Sequence, residues 1–191
     1  TDLFLADALR HDDGANNGVL LQTDDGWTID TTHILASISD VNAAVWGDYD
    51  NDGQVDVYLL RRGPNHLWRQ TSPGTWENVT GASGADGGDA DTVDGLFVDT
   101  DHDGDLDIIC VNADGPNELL NNDRDGGFTS IAAEQGLDGG DRASRQVLTA
   151  DLDSDRDLDI IVVNDEAPHA VYINDRLWTY HESPDATALV S

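Results

Sequence analysis

The 191-residue chain (20.5 kDa) is long enough for one medium domain with a real core, and it carries 39 acidic against 9 basic side chains, a formal net charge of −30. Of the acids, 34 are Asp and only Glu77, Glu118, Glu134, Glu166 and Glu182 are Glu; all nine cations are Arg and there is no Lys. Such a surface repels polyanions, which argues against nucleic acid as a partner and against an anionic membrane, and no apolar stretch approaches the roughly 20 residues needed for membrane insertion.

An apolar content of 38% in recurrent short runs opposes disorder despite the charge. One cysteine, Cys110, excludes an internal disulfide framework. Asp without Lys suits concentrated salt, where a Debye length of about 3 Å screens self-repulsion. Metal loops alone do not account for this bias, because the loops described below use fifteen of the 34 Asp and nineteen lie elsewhere.

The elements read as short strands. Thr1-Asp2-Leu3-Phe4-Leu5 matches Val55-Asp56-Val57-Tyr58-Leu59, so the chain opens at the exit of an acidic loop, and Val19–Gln22 and Trp27–Asp30 supply two further strands. Next come Ala43–Trp46, Val55–Leu60, a turn at Gly63-Pro64-Asn65, His66–Arg69 and Trp76–Val79. The same order returns as Leu96–Val98, Leu106–Val111, a turn at Asp114–Asn117, Glu118–Asn121 and Phe128–Ile131. It returns again as Val147–Ala150, Leu158–Val163, a turn at Asp165–Pro168, Ala170–Ile173 and Trp178–Tyr180.

Helix is limited to at most one turn at Ile131–Gly136, and the stretches Gly81–Val93 and Gly136–Gln146, mostly Gly, Ala and Asp, are expected to be flexible surface connections. Ala188-Leu189-Val190-Ser191 resembles Ala44-Val45-Trp46-Gly47, a first strand.

A period near fifty residues organises all of this. Three segments align without gaps: Asp48-Tyr-Asp-Asn-Asp-Gly-Gln-Val-Asp-Val-Tyr-Leu, Asp99-Thr-Asp-His-Asp-Gly-Asp-Leu-Asp-Ile-Ile-Cys and Asp151-Leu-Asp-Ser-Asp-Arg-Asp-Leu-Asp-Ile-Ile-Val, starting 51 and 52 residues apart. Four short strands per period predict an all-β fold, a β-propeller of about four antiparallel four-stranded blades, as a closed ring or part of a larger propeller. The expected blades of this single domain are 1–42, 43–94, 95–145 and 146–186, with 187–191 as a possible ring-closing strand. The cut inside a loop leads us to expect a fragment or a missing loop, with self-association as one way to complete a larger ring.

Each acidic loop offers carboxylates at positions 1, 3, 5 and 9: Asp48, Asp50, Asp52 and Asp56; Asp99, Asp101, Asp103 and Asp107; Asp151, Asp153, Asp155 and Asp159. Position 7 (Gln54, Asp105, Asp157) is expected to contribute a backbone carbonyl, and Gly53 and Gly104 at position 6 permit a left-handed turn. Hard oxygen donors in this number suit Ca²⁺ over Mg²⁺ or Zn²⁺. An EF-hand is excluded because position 12 is Leu59, Cys110 or Val162 where a bidentate Glu is needed.

Trp46-Gly-Asp-Tyr-Asp-Asn-Asp-Gly-Gln-Val-Asp-Val-Tyr-Leu and Gly127-Phe-Thr-Ser-Ile-Ala-Ala-Glu-Gln-Gly-Leu137 resemble the FG-GAP/VCBS repeat of integrin-α-like propellers and related bacterial and archaeal surface proteins. The resemblance covers nearly the whole chain. It implies a propeller holding Ca²⁺ in the hairpin between the first two strands of each blade, at the residues above: about three sites, and a fourth if the loop before Asp2 is supplied. Arg156 replaces Gly at position 6 of the third loop, which is expected to weaken that site or change its shape, and the first blade keeps only Asp2, at position 9.

The remaining residues carry little chemistry. His11, His33, His66, His102, His169 and His181 have no metal-type spacing, and His102, at loop position 4, should point outward. There is no Gly-x-Ser-x-Gly elbow and no phosphate loop. Cys110 lies in a core strand and reads as an inert thiol, while Trp27, Trp68, Trp76 and Trp178 fall on outer strands as packing residues. Asn78-Val79-Thr80 forms a sequon, meaningful only in an exported chain.

The expectation is a non-catalytic, calcium-stabilised module of an extracellular or cell-surface protein, binding protein or glycan in adhesion or recognition. The alternatives are an accessory or catalytic domain of a polysaccharide-degrading enzyme, and an architectural spacer.

Overall fold

The computed structural model describes residues 3–6, 17–166, 168–176, 179–185 and 188. Four antiparallel sheets follow one another along the chain. The first contains β1 (Leu3–Leu5), β2 (Gly18–Thr23) and β3 (Gly26–Asp30). The second contains β4 (Val41–Gly47), β5 (Asp56–Arg61), β6 (His66–Ser72) and β7 (Thr75–Asn78). The third is β8 (Thr92–Val98), β9 (Asp107–Asn112), β10 (Glu118–Asn122) and β11 (Phe128–Ser130), and the fourth is β12 (Ser144–Ala150), β13 (Asp159–Asn164), β14 (Ala170–Asn174) and β15 (Tyr180–Glu182).

Within each sheet the strands pair in chain order, as propeller blades do. The fold is all-β with three four-stranded sheets, as expected. The first sheet has three strands among the described residues. Asp2, Trp178 and residues 189–191 lie outside the described residues. Of the expected closing strand 187–191 only Ala188 is described, and its backbone is helical, so no strand is described there.

β5 and β9 are uninterrupted apolar runs because both of their faces are covered. Successive side chains leave a strand on opposite sides. Val57 and Leu59 of β5 therefore join Leu35, Val41 and Trp68 between the first and second sheets, while Tyr58 and Leu60 join Leu67, Ile108, Cys110 and Phe128 between the second and third. Ile109 and Val111 of β9 turn the other way, meeting Leu119, Val147, Ile160, Val162 and Tyr172 between the third and fourth. Burying each Leu, Ile or Val contributes about 1.5–3 kcal/mol, so three repeated interfaces supply the cohesion that overcomes the charge. Cys110 is fully buried, and burial pushes its thiol up to about 12, the inert role expected.

The two connections expected to be flexible surface segments are partly buried. One-turn helices α1 (Thr80–Ser83) and α2 (Ala132–Gln135) each end on a left-handed glycine, Gly84 or Gly136, after which Ala85 or Leu137 plugs an inter-sheet core. A Gly- and Ala-rich segment is what such a close approach requires, and composition alone does not distinguish it from a loose loop. A 3₁₀ turn at Ile34–Ser37, not anticipated, seats Leu35 in the first interface. The sequon's Thr80 also has a structural role, since its buried hydroxyl accepts the Leu67 N–H at 2.9 Å.

Candidate metal centres in three acidic hairpins

The three acidic loops occupy the same place in their sheets, joining β4 to β5, β8 to β9 and β12 to β13. Their internal hydrogen bonds also repeat. The position 1 carboxylate accepts the N–H of positions 5 and 6: Asp48 from Asp52 and Gly53 (3.0 and 2.9 Å), Asp99 from Asp103 and Gly104 (both 3.1 Å), Asp151 from Asp155 and Arg156 (both 3.2 Å). Asp50, Asp101 and Asp153 at position 3 accept from the same position 5 N–H, and Asp52, Asp103 and Asp155 at position 5 accept from position 7. Short carboxylates in sequence alternation thus wind the backbone into a coil whose side chains face inward.

Position 6 is left-handed in every loop: Gly53 has φ 85, Gly104 φ 95 and Arg156 φ 83. The third loop therefore keeps the shape of the other two, so of the two consequences expected of Arg156, a weaker site or a changed loop, the change of shape does not occur, and Arg156 carries the backbone strain that Gly avoids.

Position 9 has a second task. Asp56, Asp107 and Asp159 open the second strands and are buried. One oxygen accepts from the N–H of position 2 (Tyr49 3.3 Å, Thr100 3.0 Å, Leu152 2.6 Å), the other from the third strand (Gln70 2.8 Å, Asn122 and Asn174 2.9 Å). This carboxylate ties the loop to the rest of its sheet. Burial pushes both Asp56 and Asp107 up to about 6, against the hydrogen bonds that pull them down.

Three carboxylate oxygens converge to within 4.8 Å of one another in each loop: those of Asp48, Asp50 and Asp56, of Asp99, Asp101 and Asp103, and of Asp151, Asp153 and Asp159. The second set uses position 5 where the others use position 9. The Thr100 hydroxyl donates a short hydrogen bond to Asp107 Oδ2, so that oxygen is already engaged by two donors. Tyr49 and Leu152, at the same position, add no such donor; the Tyr49 ring stacks at a tilt on Phe128, 5.7 Å away. Desolvation, together with neighbouring loop carboxylates, holds Asp50, Asp101 and Asp153 above the ordinary carboxylate range, the signature of acids crowded without a full countercharge. These are three Asp clusters that could hold metal ions.

Several residues at the loops were not singled out from the sequence. Arg69 lies 2.5 Å from Asp50 and 2.9 Å from Asp52; Arg124 lies 2.8 Å from Asp103 and 3.2 Å from Asp105; Arg176 lies 3.6 Å from Asp157. Arg124 and Arg176 were discoverable, because Asn122-Asp123-Arg124 and Asn174-Asp175-Arg176 recur 52 residues apart. Arg69 sits inside β6, out of that register, and only folding brings it to the loop. At position 7, Gln54, Asp105 and Asp157 enter their own loops through the N–H, while the Asp105 and Asp157 side chains leave the cluster.

A family model for the FG-GAP-like repeat matches residues 48–109 and 99–162, together more than half of the chain. The chain belongs to the FG-GAP-like repeat family. The two matches begin on Asp48 and Asp99, the first residues of the first two acidic loops, and the three Asp clusters are of the kind typical of FG-GAP calcium sites. More distantly, 67 residues are 40% identical to cartilage acidic protein 1 of Homo sapiens, and 39% identical to the proteins of that name from Mus musculus and Xenopus tropicalis. Each match covers 35% of this chain and 10% of the relative, so the chain spans about a tenth of the relatives it matches. Among the described residues, no helix is long and apolar enough to cross a membrane.

Proposed function

We propose that this FG-GAP repeat module binds calcium in its three acidic hairpins, and that the ions stabilise it as a non-catalytic recognition module of an extracellular or cell-surface protein. The observation that carries the reading is the convergence of three carboxylates in each of three hairpins at one register. The donors fit the ion: all are hard oxygens, and backbone N–H groups orient them. Asp48, Asp50 and Asp56 would hold the first ion, Asp99, Asp101 and Asp103 the second, Asp151, Asp153 and Asp159 the third. Bound calcium supplies the positive charge that lets each crowded loop stay closed.

Binding to the folded state alone stabilises by mass action, about 2.7 kcal/mol per site at a hundredfold excess over Kd. Affinities near 10⁻⁴–10⁻³ M, usual for extracellular modules, would keep such sites filled outside a cell and empty in a calcium-poor cytosol. Thermal unfolding in 10 mM calcium against EDTA, at fixed high salt, tests the reading. A rise in Tm of at least about 5 °C is expected for a chain of this size. Equal Tm values in the two conditions reject structural calcium. The recognition role is tested separately, by binding of the calcium-loaded module to protein and glycan arrays.

A further inference from the structure

Neighbouring loops touch, and they do so in a repeated way. At position 4, Asn51 and His102 have left-handed backbones (φ 57 and φ 61), which swing their side chains out of their own loops. Asn51 Nδ2 donates to Asp105 Oδ1 at 2.7 Å, from the first loop to position 7 of the second. His102 Nε2 lies 2.9 Å from Asp157 Oδ1, from the second loop to position 7 of the third. Two different side chains thus make one contact at one register, with the same sense along the chain.

The acceptor is a built node in both cases. Asp105 also meets Arg124, at 3.2 Å from its other oxygen. The Asp157 side chain is only 8% exposed, and its Oδ2 has no hydrogen-bond partner among the described residues, with Arg176 Nε 3.6 Å away. Asp157 lines, with His102, Asp155, Arg156 and Arg176, a depression of about 370 Å³ at the junction of two loops. Position 4 is left-handed in all three loops, Ser154 included (φ 68), so this backbone shape belongs to each hairpin, and Asn51 and His102 add to it the contact with the next loop.

We infer that position 4 and position 7 couple each hairpin to the next, so that closing one loop on an ion raises the calcium affinity of its neighbours. The inference rests on the calcium reading above. Position 7 is the residue whose backbone completes its own loop, through an N–H bonded to position 5 at 2.9 Å in both the second and third loops. Its side chain is the acceptor for the preceding loop. When one loop closes, it fixes the carboxylate on which position 4 of the preceding loop depends, and linkage requires the effect to run equally in reverse. Asn51 and His102 are positioning residues, placed away from the ions themselves. Direct repulsion between bound dications acts the other way and is suppressed in molar salt.

The test is calcium titration calorimetry on the full chain in molar salt. Asp101→Asn takes a charged ligand from the second loop while its amide oxygen can still accept the Asp103 N–H. Coupling predicts that the two remaining sites lose about fivefold in affinity, the low end of typical coupling. In an Asn51→Ala/His102→Ala background, Asp101→Asn should change the remaining affinities less than about twofold, and His102→Asn, which mimics the first loop, should restore coupling to the third site. Tm of each variant in EDTA confirms that the fold persists; if Asp101→Asn unfolds, Asp103→Asn replaces it. Calcium binding with neighbour affinities unchanged by loss of the second site overturns the coupling and leaves the calcium reading intact. No calcium binding at any site overturns both.

Discussion

At the scale of single residues, carboxylates of one kind do different work according to their depth. Asp159 at position 9 accepts two backbone N–H groups in a buried place, whereas Asp153 at position 3 is exposed and accepts one. Removing a buried acceptor leaves donors unsatisfied at about 1–3 kcal/mol. Asp159→Ala should therefore lower Tm with or without calcium, and Asp153→Ala should lower it only in calcium; equal losses in EDTA would contradict this division.

Burial also sets a pH dependence. Asp56 and Asp107 titrate near 6 in the folded chain against an ordinary 3.8, so between about pH 4 and 6 the folded state binds more protons than the unfolded one. Without metal, their contribution is greatest below about pH 4 and is lost as pH rises through 6. Calcium needs an ionised Asp56, so the calcium-dependent gain in Tm should shrink as pH falls from 7 to 5. A gap constant over that range, measured by paired melts in calcium and EDTA, would count against it.

At the scale of elements, the hairpin is the unit that repeats, and its tolerance shows in the third copy. Arg156 adopts the left-handed backbone of Gly53 and Gly104 and preserves the N–H contact to the position 1 carboxylate. Arg156→Gly should stabilise the metal-free chain by about 1 kcal/mol, because it removes this strain; a loss of stability in EDTA melts would show that the Arg side chain contributes more than the strain costs. The strands themselves were legible, since continuous apolar runs such as Ile108–Val111 announce segments covered on both faces. Boundaries moved by up to four residues: β8 starts at Thr92 against an expected Leu96, β12 at Ser144 against Val147, and the last strand is Tyr180–Glu182 against Trp178–Tyr180. The one-turn helix at Thr80–Ser83 escaped notice, because its Gly and Ala content reads equally as a loose connection.

At the scale of the molecule, a net charge of −30 opposes three apolar interfaces. Arginine is used sparingly and in place: among the described residues Arg69, Arg124 and Arg176 pair with carboxylates of the acidic loops. These pairs are partly exposed, and such ion pairs contribute little singly, about 0–1 kcal/mol. The remaining self-repulsion is open to screening by added salt. Tm in EDTA should climb steadily from dilute buffer to molar potassium chloride, and a flat profile would mean that self-repulsion is not the main opposing term.

Periodicity and residue type sufficed, from the sequence alone, to establish the repeat, the strand order and the carboxylates facing each loop, because these follow from local rules: alternation along a strand and an Asp at every second position. Only the tertiary structure decided which carboxylates converge, that Thr100 withdraws one oxygen of Asp107, and that Asn51 and His102 reach the next hairpin. The first two turn on side-chain conformations inside a loop, which residue spacing leaves open, and the last on distances between segments about fifty residues apart, set by how sheets pack against one another.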